Sequence, residues 1–142
     1  LLKDIFYLVI RDEARHVTFG VNYLEEFVAT LSDEEKEDRA EFAYEACVVM
    51  RNRFGSDNVM KHYGWNAEEA QEVLNQSENA RLFNNLLFSK IMPNLKRIGL
   101  LTEKTIEKYE EMDILQFQDL EDHGNIDWDE LSQPLDYSSK TA

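Results

Sequence analysis

From its first residue to about residue 30 the chain holds a single helical pattern, which at ~1.5 Å per residue makes a rod of about 45 Å. On a wheel of about 100° per residue, Leu2, Phe6, Val9, His16, Gly20, Leu24 and Phe27 share the side of Glu13. Asp4, Arg11, Arg15, Thr18, Asn22 and Glu25 fall on the opposite side. The apolar arc is wide, as expected of a helix packed against several neighbours, so a helical bundle is the natural setting. Near the centre of that arc stand Glu13 and His16, within R-D-E-A-R-H-V-T-F-G (residues 11–20). An ionised glutamate buried without a partner costs on the order of several kcal/mol, so this placement demands a compensating group.

The rest of the chain continues in helices. Ser32 followed by Glu35 forms a capping box that opens a second helix near Asp33, solvated at first and packing later, expected to stop at Gly55. D-N-V-M-K-H-Y reads as a short helical turn ending at Gly64, and Asn66 with Glu69 caps a helix to about Asn75. The next stretch, from Asn79 to Gly99, carries Leu82, Leu86, Ile91, Leu95 and Ile98 at mixed three and four spacing. Pro93 inside it is expected to kink or divide the helix, and Gly99 to stop it. Thr102 caps a last helix through about Met112. No run alternates with the period of a strand, so the fold class is all-α. Residues 1–115 read as the helical domain and 116–142 as an acidic, loosely held tail, which Trp128, Leu131 and Leu135 would pin to the surface.

Charge narrows the function. With 29 acidic against 15 basic residues the net charge is -14, which excludes a nucleic-acid surface, since that needs a basic stripe. No uninterrupted apolar run is long enough to span a bilayer, so no membrane role is expected. Five scattered glycines make no phosphate-cradling loop. A single cysteine, Cys47, cannot form an intrachain disulfide; that fits a reducing, cytoplasmic setting, with Cys47 as a small core residue.

Glutamate and histidine three residues apart on a helix project to the same side, one turn from each other. A carboxylate oxygen and an imidazole nitrogen can then reach one cation, which removes the penalty of the buried charge. The plainer alternative is a buried Glu–His hydrogen bond with no metal. The segment D-E-A-R-H, Asp12 to His16, resembles the second metal-binding helix of the ferritin-like di-iron carboxylate oxidases and oxygenases. With Arg11 it is similar to the corresponding helix of ribonucleotide reductase small subunits, and with Arg15 to that of bacterial di-iron hydroxylases. D-E-A-R-H-V-T-F-G-V-N-Y-L together with L-L-F-S-K-I-M-P-N-L-K-R-I-G-L-L-T is similar to a broad set of bacterial ferritin-like proteins, and the likeness covers residues 1 to about 115.

The resemblance implies a ferritin-like helical bundle with Glu13 and His16 as ligands to the same iron. Asp12 would stand behind the ligands, accepting a hydrogen bond from the histidine of the other half-site and so fixing its tautomer. Arg15 would hold that carboxylate network, although by helix angle it leans away from it. Gly20 would let a neighbouring helix approach closely. A complete centre of this kind takes two Glu-x-x-His pairs and two further glutamates. Here the other histidines, His62 and His123, follow Val59 and Leu120 at the third position before them, and both are expected to face solvent. In the family order a lone glutamate precedes the last Glu-x-x-His by a distance that falls before Leu1. The pattern is also already helical at Leu1, so the chain is expected to be the C-terminal portion of such a protein, carrying one of two half-sites. Glu41 and Glu45 are candidate replacements, more readily read as an exposed acidic edge.

Three functions follow as expectations. The intact protein would bind two iron ions, or iron with manganese, and activate dioxygen to oxidise a small organic substrate as a monooxygenase-type oxidoreductase with an electron donor. The fragment alone would be inactive. Alternatively it would generate a radical in the manner of a ribonucleotide reductase small subunit, with Tyr7, Tyr23 or Tyr44 as redox candidates. The third reading is a metal-free helical interaction domain, or a homodimer in which each copy supplies Glu13 and His16.

Overall fold

The computed structural model describes residues 2–52 and 57–124. Among them the chain is helical without a strand: α1 (Leu2–Ala29), α2 (Asp33–Arg51), α3 (Asp57–His62), α4 (Ala67–Gln76), α5 (Glu78–Arg97) and α6 (Glu103–Glu111), followed by a 3-10 turn at Leu115–Phe117. Each boundary has a chemical cause. The Ser32 hydroxyl accepts from the Glu35 N–H while the Glu35 carboxylate accepts from the Ser32 N–H at 2.9 Å, as a capping box requires. Those Ser32 donors hold the Glu35 carboxyl below its ordinary value. Asn66 Oδ1 accepts from the Glu68 and Glu69 amides, Ser77 caps α5 through Ala80, and Thr102 caps α6 through Thr105.

The C-terminal ends are as definite. Gly99 takes φ +80°, its N–H donates to Lys96 O at 3.1 Å, and the Leu100 N–H reaches back to Leu95 O at 3.0 Å. This is a Schellman stop, in which a left-handed residue lets two amides satisfy the last carbonyls. The same pair of bonds recurs at Gly64 (φ 71°), and at Asp113 (φ 56°), a short polar residue that tolerates the left-handed region.

The core gathers Val21 and Val28 of α1, Ala40 and Cys47 of α2, Phe88, Met92 and Leu95 of α5, Tyr109 of α6 and the residues around the 3-10 turn. Helices α2 and α6 pair through the edge-on rings of Tyr44 and Tyr109, 5.5 Å between centroids. Polar ties at the rim close the same seam: Thr102 Oγ1 donates to Glu37 at 3.0 Å, and Lys108 Nζ donates to Glu41 at 2.6 Å. Burying Phe88 completely contributes about 2–3 kcal/mol.

Pro93 corrects the expectation of a divided helix, because α5 runs unbroken from Glu78 to Arg97. The ring is buried in the core, and polar side chains serve carbonyls in the same turns: Asn94 Nδ2 donates to Lys90 O and Ser89 Oγ to Leu86 O, both at 2.8 Å. The second helix closes at Asn52, and Gly55, expected as its stop, lies outside the described residues.

Residues 119–124 are tied to α5 by polar contacts. Asp119 pairs with Lys96, Asp122 accepts from Arg97 Nη1 at 2.8 Å, and His123 N–H donates to Asn94 Oδ1 at 2.9 Å. Arg97 also donates to Glu25 Oε2 at 3.0 Å and faces Asn22 at 3.4 Å. One guanidinium thereby joins α1, α5 and the segment after the 3-10 turn. Trp128, Leu131 and Leu135 lie outside the described residues.

Two outcomes test this description. Gly99→Ala places a Cβ in ordinary contact with Val28 (3.8 Å), so its cost is the left-handed backbone, about 1 kcal/mol, read as a lower urea midpoint with unchanged slope. Arg97→Ala releases residues 119–124, seen as faster amide hydrogen exchange there than in α6.

Candidate functional site

Helix α1 has no buried residue before Thr18, and the apolar side chains of its first half are exposed on every side, Tyr7 and Ile10 as well as Phe6 and Val9. Thr18, Val21 and Val28 are buried, and the Thr18 hydroxyl satisfies itself on Ala14 O at 2.9 Å. Leu2, Phe6, Val9, Phe19, Tyr23 and Phe27 are exposed. Phe19, Tyr23 and Phe27 stack along one exposed side with successive centroids 6.3 Å apart, the spacing that residues four apart on a helix produce.

Asp12, Glu13 and His16 lie among these apolar side chains. Glu13 Oε2 is 3.5 Å from His16 Nδ1 and Asp12 Oδ2 is 3.8 Å from His16 Nε2. The ring thus stands between two carboxylates, at ion-pair separations longer than a good hydrogen bond. Glu13 and His16 stand one turn apart on the same side of α1, and Asp12 lies on the other side of the ring. The burial argument is corrected for this chain: the Glu13 and His16 side chains are each 67% exposed and that of Asp12 is 62%. The reason is that no described element covers this side of α1. Arg15, which its helix angle placed on the polar, exposed side, is instead half-buried. A Cβ built on Gly20 meets nothing within 4 Å, so no helix makes the expected close approach there. Among the described residues no group of three or more His, Cys, Asp or Glu is arranged to hold a metal ion.

The remaining candidates separate by environment. Glu41 is engaged with Lys108, while Glu45 is exposed. Tyr7 and Tyr23 are exposed, and Tyr44 packs in the α2–α6 seam with Lys108 Nζ 5.0 Å over its ring. Cys47 is buried as expected, and that burial pushes its thiol up to about 11, leaving it unreactive at neutral pH. Beside it the Tyr109 hydroxyl is buried without a conventional hydrogen bond, and burial drives its pKa upward too.

His62 is exposed, as the sequence implied, with its ring edge-on to Tyr63. His123 is not: it is half-buried, its Nδ1 3.0 Å from Asn94 Nδ2. The signal missed was Asn94 itself, a polar residue one position past the helix proline that reaches across to the tail. Because Asn94 Nδ2 can only donate, His123 Nδ1 accepts and carries no proton. Burial lowers the His123 pKa, with Lys90 acting in the same direction and Asp122 and Glu121 opposing. Arg97, unremarkable by spacing, proved to be the residue that anchors α1.

No protein family, curated protein or solved structure matches this chain on comparison.

His123 yields a pH test. Its folded pKa lies below the ordinary value of about 6.5, so the unfolded chain binds more protons between the two. Stability is therefore fully present above about 6.5 and falls as pH drops through the folded value. Denaturation midpoints measured from pH 7.5 to 5 should decline in the native chain, and that decline should shrink in His123→Gln.

Proposed function

We propose that this chain supplies one half of a di-iron, or iron–manganese, carboxylate centre in a ferritin-like oxidoreductase that uses dioxygen to oxidise a small organic substrate. The observation that carries this reading is the side-by-side placement of Glu13 and His16, one turn apart and open to a ligand, at the centre of an apolar helix side. A carboxylate oxygen with an imidazole nitrogen suits iron or manganese. The two residues fit half of such a centre, and the other ligands must come from helices that cover this side of α1.

Glu13 and His16 would hold the metal, and the chemistry it supplies when bound is dioxygen activation. The residues of the chain do the rest. His16 must present a neutral ring nitrogen to act as a ligand, and Asp12, 3.8 Å from Nε2 and outside hydrogen-bond range of it, is left to accept from the histidine of the other half-site. Val9, Ile10 and Val17 are exposed apolar residues within about a turn of the pair, so a helix laid over them would exclude water and lower the local dielectric. The same exposed residues favour a second reading, a helical interaction domain without metal, since a bare apolar helix side marks a contact surface.

Metal content separates the two. After anaerobic iron loading and desalting, mass spectrometry should find iron retained by the protein whose α1 is covered, in the intact protein or a self-associated form. His16→Ala and Glu13→Ala should each abolish retention while circular dichroism stays unchanged, because both positions are exposed and surface changes move stability by about 0.5 kcal/mol or less. Retention of iron by His16→Ala would overturn the ligand assignment, and absence of iron from every form would leave the interaction reading.

A further inference from the structure

A well-formed cleft lies away from α1. It encloses about 710 Å³ between the second half of α2, helix α4, the first turns of α5 and the residues that follow α6. A volume of this size suits a small organic molecule. Its floor is apolar and belongs to the core, since Phe88, Met112 and Ile114 are all buried. Its rim is polar, with Arg51 and Arg81 on opposite helices, α2 and α5.

These two guanidiniums are unusual in this chain. Acids outnumber bases 29 to 15, and arginines such as Arg39 and Arg97 are paired with carboxylates. Arg51 instead gives one N–H to the backbone carbonyl of Met112 at 3.0 Å, which fixes the head at the cleft edge while other donors of its five stay available. Arg81 makes no ion pair with any described residue. Asp113, the acid in the lining, has its Oδ1 engaged by Gln116 Nε2 at 3.2 Å. Amide groups add to the rim, and the Oδ1 of Asn84 is buried in the wall with no hydrogen-bond partner. A buried acceptor left unpaired is costly, on the order of 1–3 kcal/mol, and calls for an explanation. Of that amide, the Nδ2 group is the donor that would meet an anion in the cleft.

We propose that this cleft binds a small organic carboxylate with an apolar or aromatic body. The body rests on Val48, Leu74 and Ile114, and the carboxylate is held between Arg51 and Arg81, whose planar forks match its two oxygens. No residue of α1 lines the cleft, so this site stands or falls separately from Glu13 and His16.

The probe is 4-phenylbutyrate, with 4-phenylbutyramide as its neutral counterpart, titrated into the isotope-labelled chain and followed by amide chemical shifts. The carboxylate should saturate with shifts at Asn84, Phe88 and Ile114, and the amide should bind at least tenfold more weakly. Arg81→Gln, at an exposed position, and Arg51→Gln should each weaken the carboxylate several-fold, and the amide's affinity should not change. Equal binding of acid and amide, shifts centred on α1, an unaltered affinity in Arg81→Gln, or no saturable shift would each overturn the assignment.

Discussion

A helix with apolar side chains around most of its circumference needs more than one neighbour, and α1 is packed along one side. Thr18, Val21 and Val28 go into the core, with Asn22 and Glu25 tied to Arg97 of α5. The aromatic row Phe19–Tyr23–Phe27 and the apolar residues before it stay in water. Leaving that much apolar area uncovered is unfavourable by about 25 cal/mol for each Å² that a partner could remove from solvent. This unmet demand is the physical fact behind the functional proposal. It puts Asp12, Glu13 and His16 on a surface prepared for burial, where a cation would offset the cost of enclosing two carboxylates.

The remainder of the molecule is built to hold that helix steady. Its core rests on α5, which contributes Phe88, Met92 and Leu95, and on α6, whose Tyr109 fits edge-on against Tyr44. Capped helix starts and left-handed stops at Gly64, Gly99 and Asp113 define the turns between elements. Arg97 then reaches from the last turn of α5 to α1 and to Asp122, so the end of the described chain also braces the helix that bears Glu13. Its 3.0 Å bond to Glu25 lies about two and a half turns past His16, so it ties α1 without touching the pair.

The two sites are electrostatically opposite. On α1 the polar groups are carboxylates around an imidazole, a setting that favours a cation. The cleft between α2 and α5 carries the guanidiniums of Arg51 and Arg81 at its rim, a setting that favours an anion. In a chain of net charge -14, long-range attraction draws cations. Binding an anion therefore depends on close contacts in the cleft rather than on the field of the whole molecule.

Much of this was written locally. The helix starts at Ser32, Asn66 and Thr102, the stops at Gly64 and Gly99, and the adjacency of Glu13 and His16 follow from hydrogen bonds and side-chain geometry within a few residues. These depend on neighbours in sequence, so the residue types alone settle them. Three outcomes were decided only by packing between distant segments. Pro93 stays inside α5, where its ring is buried against the rest of the chain. His123 is drawn from solvent because Asn94, far away in the chain, offers it two bonds. The open side of α1 is exposed because an apolar arc states that burial is favourable, whereas whether a neighbour lies over it depends on where every other helix goes.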